Sequence, residues 1–347
     1  MTFPLLTEFA APLAGNPALP LLHNELRNKT KKSFIGLVTE VQKHLTTDLS
    51  PLLDLLKNLN PTRHFSPEFY CYYFTLLTHM VQQNNETAFN LCNTLNLLPT
   101  SDNFYHDKFV ITSNTSSIMM ELYKNNLGDD KKYKREEITT VSSFDYQEVS
   151  SYIQRSFNII ANNTHLSEEI NEIISAINIF DGGGKASNAS SVGFFGLIMM
   201  RYHRFNSQAE QLLYFFDSII HEAAHNYLNL LITFDPMIIN SKEFFFSPAR
   251  NTNRPMKGIF HGHFVVFRLI MAYRLLEKFF AEYFPTQKLD AYDFNRPLAD
   301  LPMTFYPRLE AYQYKFKQGE SIIQQSAQLT EFGREFFNNM SSIIHHD

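Results

Sequence analysis

Apolar residues in the N-terminal part of the chain recur at the three- and four-residue spacing of buried helix faces. Residues 21 to 58 follow this pattern, with an interruption just before Pro51. A second helix is predicted from Ser66 and Pro67 to about residue 83, because Ser is a favoured N-cap and Pro suits the first turn of a helix. The pattern therefore predicts a largely helical N-terminal part.

Three later segments have different patterns. Residues 165 to 180 show the spacing of a short amphipathic helix, whereas the apolar run from 192 to 200 has the length of a strand. The mixed-charge run from 124 to 137 is typical of a solvated loop.

The stretch from 181 to 188 is rich in Gly and Ser and indicates a boundary. We therefore predict a helical N-terminal region over 1–180 and a second region over 181–347. A long helical pattern spans residues 208 to 234. The predicted fold class is α+β, predominantly helical, with a small sheet packed beside this long helix.

Composition narrows the classes of protein and partner. Hydrophobic residues make up 44% of the chain and charged residues 19%, which predicts a packed core, and 33 Phe with no Trp predicts that Phe fills it. The formal net charge is −5. Because this balance provides no basic field, we expect neither nucleic acid nor an anionic membrane surface as a partner.

The two cysteines, Cys71 and Cys92, are too few for a disulfide framework and lie in apolar surroundings. The N-terminus, Met1-Thr2-Phe3-Pro4, lacks the positive charge of a signal peptide. No apolar run approaches the length of a membrane span. These features predict a reducing, cytoplasmic location and no membrane insertion.

The segment richest in chemical information is the motif His221-Glu222-Ala223-Ala224-His225, within the long helical pattern. Two imidazoles four residues apart lie on one face of a helix and can bind one metal ion together. In zinc metallopeptidases with this motif, the Glu acts as general base on metal-bound water. That enzyme class is one candidate, and a helical binding protein with a structural metal is another.

The third metal ligand discriminates among these candidates. Glu243 is a poor carboxylate candidate because no helical pattern surrounds it. On a regular helix, His261 and His263 would point about 200° apart, so one ion could not bind both. His261 and His263 are therefore mutually exclusive candidates for this ligand. Gly262 is expected to allow the backbone to approach the metal helix closely.

The segment from Phe244 to Leu276 contains no acidic residue but several basic ones. An anionic ligand is therefore expected there, because Arg can bind a carboxylate through two parallel hydrogen bonds. The candidate anion-binding residues are Arg254, Arg250 and Lys257. We predict that Arg268 and Arg274, by contrast, are ordinary surface charges.

Several motifs, taken in order, resemble those of a known family, the HExxH-type 2-oxoglutarate-dependent peptide β-hydroxylases, which occur mainly in bacteria and often beside genes for ribosomally made peptides. The resemblance covers residues 192 to 267. The motifs are His221-Glu222-Ala223-Ala224-His225-Asn226, Ser247-Pro248-x-Arg250, Arg254-Pro255-x-x-Gly258, and His261-Gly262 followed by the aromatic Phe267. The chain departs from the family at Thr252-Asn253, where an Asp-Pro pair is usual.

The resemblance implies an Fe(II) centre held by His221, His225 and a downstream His. We predict His261 as this ligand because it falls at the His-Gly pair of the family pattern, and we predict that His263 is an ordinary helix residue packed among aromatics. It also implies 2-oxoglutarate and O₂ as cosubstrates and a peptide or protein substrate, including ribosomally made precursor peptides, hydroxylated at a β-carbon. Glu222 would then support the metal site or contact the substrate. Asp217, one turn before His221, is expected either to orient that imidazole or to be a plain surface residue.

Overall fold

The computed structural model describes residues 8–10, 14–98, 101–106, 109–114, 118–120, 122, 138–182, 188–205, 208–247, 250–277 and 305–346. Within these residues the helices are α1 (Leu19–Gln42), α2 (Ser50–Asn58), α3 (Pro67–Val81), α4 (Asn85–Asn96), α5 (Ser143–Ile160), α6 (Thr164–Ile173), α7 (Gln208–Ile232), α8 (Met256–Leu275), α9 (Phe305–Ser326) and α10 (Glu331–His346). The strands are β1 (Val110–Thr112), β2 (Ile138–Thr139), β3 (Ala176–Gly182), β4 (Leu197–Arg201), β5 (Phe244–Ser247) and β6 (Thr252–Pro255). The predicted α+β, predominantly helical fold class with a small sheet is confirmed, and the packing of that sheet beside the long helix stays a prediction.

The chain forms two compact units, each assembled from separate segments. Unit 1 comprises Met1–Leu19, Ser142–Ile170 and Tyr202–Asp347, and unit 2 comprises Pro20–Val141 and Asn171–Arg201. The boundary predicted at residue 181 falls inside strand β3.

Unit 2 contains the predicted N-terminal helices. The helical run from 21 to 58 is divided into α1 and α2, and the side chain of Ser66 caps α3 by accepting a hydrogen bond from the Phe69 N–H at 3.3 Å. The charge run from 124 to 137 lies outside the described residues.

The sheet of unit 2 is built on β3, which pairs in parallel with β1 and β4 and antiparallel with the short β2. The predicted strand at 192–200 is present as β4 after a 3₁₀ turn. The helix predicted over 165–180 is wrong in its second half, because α6 ends at Ile173 and β3 follows. Ile179 and Phe180, which point to opposite faces of β3, are both buried, so the strand is covered on both faces, as its β-branched residues favour.

Unit 1 is organised around α8. Helix α7 packs against α8, as do α9 and α10, while α5 packs on α7. Aromatic rings fill this core as predicted: Tyr227 stacks on Phe264 at 5.9 Å between centroids, and Phe264 lies 5.4 Å from Phe336. No helix in the described ranges is both long enough and apolar enough to cross a lipid bilayer.

Buried ion pairs contradict two of the sequence predictions. Asp217 is buried and accepts hydrogen bonds from Arg308, Tyr273 (2.8 Å) and Tyr312 (2.7 Å), so it is neither a surface residue nor committed to His221. These contacts join α7, α8 and α9 through one carboxylate, which explains why the residue faces inward.

The prediction of a surface charge is also wrong for Arg268, whereas Arg274 is partly exposed. Arg268 is buried and paired with Glu169. Arg274 donates hydrogen bonds to the carbonyls of Ile343 and Ile344 at the end of α10. Both arginines lie on α8, whose central position turns most of its faces toward neighbouring helices.

Candidate metal centre

One face of α7 is open while the rest of the helix is buried. His221, His225 and Asn229 are only partly buried, whereas the apolar residues between and around them are almost completely buried. Residues four apart lie above one another on a helix, so these three form a single strip. The burial of the other faces orients α7 and presents the two histidines together.

His261, on α8, completes a group of three imidazoles with His221 and His225. The ring centroids of His221 and His225 are 5.0 Å apart, and those of His225 and His261 are 5.8 Å apart. The Nε2 atom of His261 is buried and has no hydrogen-bond partner in the described part of the chain. A buried ring nitrogen without a partner is costly unless a ligand binds it.

All three imidazoles are held in the neutral form that binds metals. Burial lowers the pKa of His225 to about 4 and that of His261 to about 3, and the pKa of His221 lies well below its ordinary value. Smaller contributions come from nearby positive charges, among them Arg250 and Arg254. The charges that lower these pKa values all belong to basic side chains of the described residues.

The histidines line a cavity of about 300 Å³ together with the predicted anion-binding residues. The structure thus brings together all the residues predicted to bind the metal ion or the cosubstrate. The described lining residues, which include no acidic side chain, are His221, His225, Arg250, Arg254, Pro255, Lys257, Gly258, His261 and Gly262.

The β5–β6 hairpin and the start of α8 position the cations. Ser247 pairs with Thr252, and Asn251 in the intervening loop has a φ of 48°, a left-handed conformation that Asn tolerates. Thr252-Asn253, the departure from the family pattern, therefore lies in β6 and pairs with β5. The Met256 N–H donates to the Glu243 carbonyl at 2.7 Å, which fixes the first turn of α8 against the hairpin.

Arg254 and Arg250 differ in their surroundings. Arg254 is half-buried, and its guanidinium lies across Gly258, where an added Cβ would be 3.5 Å from it. Burial, then the charge of Arg250, lowers the pKa of Arg254. Arg250 is exposed. Arg254 is therefore the more constrained of the two cations.

Sequence reasoning missed one further cation, Lys315 on α9. Burial lowers its pKa to about 8, with further contributions from the charges of Arg250 and Arg308. Lys315 lies far from the hairpin along the chain, and no motif marks it. Only the packing of α9 reveals that it adds to the positive field near Arg250.

Glu222 and Glu243 do not belong to the described lining of the cavity. Glu222 is 3% exposed, and its main-chain carbonyl accepts a hydrogen bond from the Asn226 side chain at 3.0 Å. Glu243 is exposed and accepts a hydrogen bond from Asn240 at 3.0 Å. The catalytic role assigned to Glu222 stays a prediction.

His263 is packed as predicted, but the role expected of Gly262 is wrong. The ring of His263 stacks on Phe316 at 4.2 Å and is 3% exposed. A Cβ added at Gly262 would meet no atom within 4 Å, whereas one at Gly319 would lie 2.9 Å from His263 Nδ1. Gly319 therefore permits the close approach of α8 and α9, and Gly262 leaves space in the cavity.

The three imidazoles supply nitrogen donors of the kind that transition-metal ions bind. Their donor atoms do not all lie within 4.8 Å of one another, so an ion would bind all three only after side-chain rotation. Two imidazoles that share an ion through bonds of about 2.1 Å have ring centroids roughly 5 Å apart. The His221–His225 pair meets this spacing, and the His225–His261 pair exceeds it by under roughly 1 Å, within reach of side-chain rotation. The chain matches no known family model, and the search of curated proteins gave no significant match.

Proposed function

We propose that this protein is an oxygenase that uses Fe(II), 2-oxoglutarate and O₂ to hydroxylate a peptide or protein side chain at its β-carbon. The observation that supports this proposal is the cavity in which three neutral imidazoles and three cationic side chains meet without a carboxylate in the described lining. The peptide substrate and its β-carbon come from the family that the motifs resemble.

His221, His225 and His261 would hold the metal ion. Three nitrogen ligands leave positions open for exogenous oxygen ligands, as in oxygenase sites where the protein supplies three ligands. When bound, Fe(II) with 2-oxoglutarate and O₂ supplies the oxidising chemistry that hydroxylates a C–H bond.

Arg254 is the residue we expect to bind the distal carboxylate of 2-oxoglutarate. Its guanidinium is half-buried and restrained against Gly258, so little side-chain freedom is lost when it binds a carboxylate. Arg250 and Lys257 add positive charge at the same cavity. Gly262 has no side chain, and the space above it is available to the cosubstrate or to the substrate side chain.

Two features disfavour the alternative, a zinc metallopeptidase. That mechanism requires a carboxylate beside the metal-bound water, and Glu222 is buried outside the described lining of the cavity. The hydrolytic mechanism itself also does not require a cationic cavity without carboxylates in its described lining. The site chemistry is better matched to a small anionic cosubstrate.

The deciding experiment follows succinate release from 2-oxoglutarate by purified protein. We expect release that requires both Fe(II) and O₂, and inhibition by Zn²⁺. Under anaerobic conditions, adding 2-oxoglutarate to the Fe(II) protein should produce the charge-transfer absorption of the chelated cosubstrate, which needs no peptide substrate. Peptide cleavage by zinc-loaded protein that does not respond to 2-oxoglutarate would establish the peptidase instead.

A further inference from the structure

Unit 2 contains a separate cluster of two histidines and one carboxylate. Glu172, at the end of α6, lies between the two imidazoles: its Oε1 is 2.8 Å from His23 Nδ1, and its Oε2 is 3.6 Å from His64 Nε2. One donor atom from each residue lies within 4.8 Å of the other two. Each imidazole therefore faces a different oxygen of the same carboxylate.

The three side chains come from different parts of unit 2 and meet only in the folded chain. His23 lies on α1, and His64 lies in the segment that leads into α3. The rings are 5.6 Å apart at an angle of 81°, and the ring of His23 packs against Phe195 at 5.1 Å. This packing fixes the orientation of His23 before any ligand arrives.

Exposure decreases from one side of the cluster to the other. The side chain of His64 is 36% exposed, that of Glu172 is 16% exposed, and that of His23 is 5% exposed. A path from solvent to the donor atoms is one requirement of a metal site, and the His64 side provides it. The buried His23 is thus a fixed ligand, and the more exposed His64 can change its orientation when an ion binds.

We propose that His23, His64 and Glu172 form a second site for a divalent transition-metal ion. Two imidazoles and one carboxylate are the donor set that Zn²⁺ and Fe²⁺ bind in proteins when other positions stay open to water. This site lies in unit 2, whereas the three histidines of the proposed oxygenase centre belong to unit 1. It does not depend on the proposed function.

Arg27 is the neighbour that opposes this site. Its Nη1 atom is 3.6 Å from Glu172 Oε1, and its Nε–H donates to the Pro61 carbonyl at 2.6 Å. The guanidinium holds the carboxylate in place but repels a cation, so the ion binds more weakly here than at three neutral imidazoles. The competing explanation for the cluster is a network of ion pairs that binds no metal. Substitution of Arg27 distinguishes the two explanations.

The test measures Zn²⁺ bound per chain after metal-free, full-length protein is equilibrated with chelator-buffered Zn²⁺. We expect two ions in the wild type and one in His225→Ala, which disables the unit 1 centre. The double variant His225→Ala/His64→Ala should bind none. His64 is partly exposed, so its removal leaves the core intact, and circular dichroism verifies the fold.

Two further variants sharpen the result. His225→Ala/His44→Ala removes an exposed histidine whose carboxylate neighbour, Glu40, lies 3.8 Å away, and this control should keep one ion. Arg27→Gln in the His225→Ala background should tighten zinc binding because it removes a repelling charge. Unchanged or weaker binding in that variant contradicts the proposal.

The outcomes separate the two sites. A single zinc in the wild type that His225→Ala abolishes overturns the second site and leaves the unit 1 centre standing. A single zinc that survives His225→Ala but is lost with His64→Ala supports the second site and overturns the unit 1 centre. Zinc retained by the double variant, or absent from every protein, overturns the proposal.

Discussion

The imidazoles of His225 and His261 face each other with ring centroids 5.8 Å apart and ring planes 27° from parallel. They belong to different helices, so their approach depends on the packing of α7 against α8. His221 and His225, in contrast, are neighbours on any regular helix. The third imidazole is therefore the part of the centre that tertiary structure supplies.

Replacing His261 should remove iron from the protein. We expect His261→Ala to bind much less than one Fe(II) per chain and to release no succinate, because two imidazoles hold an ion far more weakly than three. Bound iron measured after anaerobic gel filtration checks this expectation.

His263→Leu is the matched control for His261→Ala, since His263 stacks on Phe316 away from the described lining of the cavity. It should keep its iron. Full iron content in His261→Ala would refute the assignment of the third ligand. Loss of iron in Glu243→Ala would indicate a site of two histidines and one carboxylate instead.

Arg254→Lys should weaken 2-oxoglutarate binding by about tenfold, because a lysine ammonium cannot make the two parallel hydrogen bonds of a guanidinium. Arg250→Lys should have a smaller effect, since Arg250 is exposed. Titration of the Fe(II) protein with 2-oxoglutarate measures both. Arg334→Lys, on the exposed side of α10, provides the control and should change nothing.

The two arginine variants also test the whole basic segment. Unchanged affinity in both would exclude this hairpin from the cosubstrate site. A larger loss in Arg250→Lys than in Arg254→Lys would reverse their assigned roles.

Helical periodicity predicted the helices of this protein better than it predicted the strands. The long helix at 208–234 was found at Gln208–Ile232, because apolar residues on nearly every face leave few alternatives. For residues 176–180, helical periodicity predicted a helix, but the structure has strand β3 there. A short apolar run fits a helix or a strand equally well, and the pairing of β3 with β1 and β4 decided for the strand.

At the site, residues within local sequence motifs could be predicted, whereas residues brought there by tertiary packing could not. The motif spacing predicted His221 and His225, the His-Gly pair of the family pattern predicted His261, and the acid-free segment predicted the arginines. The structure brings all of these residues to one cavity. Lys315 could not be predicted, because its approach to Arg250 depends on the packing of α9. Side-chain partners such as Arg308 for Asp217 are equally invisible in a single sequence.

Asp217→Asn should destabilise the protein by about 3–5 kcal/mol while leaving iron affinity unchanged. The substitution leaves Arg308 buried without its charge partner, and such losses are strongly destabilising. Urea unfolding measures the first effect, and iron binding by the folded fraction measures the second. A selective loss of iron affinity with normal stability would restore the discarded role of Asp217 in orienting His221.

His263 should make the stability of the metal-free protein depend on pH. Burial lowers its pKa from 6.5 to about 3, so between these values the unfolded chain binds a proton that the folded protein does not. The folded state therefore gains stability as the pH rises through this window. In His263→Leu, the stability difference between pH 7 and pH 4.5 should shrink by about 2–3 kcal/mol. An unchanged difference in urea unfolding would show that His263 is protonated in the fold.

Gly319→Ala should destabilise the protein although alanine favours helices. The added Cβ would lie 2.9 Å from His263 Nδ1, and overpacking of this kind costs about 1–3 kcal/mol, more than the helix propensity gained. Gly36→Ala in α1 is the matched control: its Cβ would meet no atom within 4 Å, so it should stabilise the protein by up to about 1 kcal/mol.

A double variant identifies the partner in this clash. If His263 is what the new methyl group meets, then Gly319→Ala should cost much less in a His263→Ala background, because the smaller side chain vacates the contact. The two free-energy changes should therefore not add in thermal or urea unfolding. Strict additivity would mean that the backbone of α8, rather than the His263 side chain, limits the approach of α9.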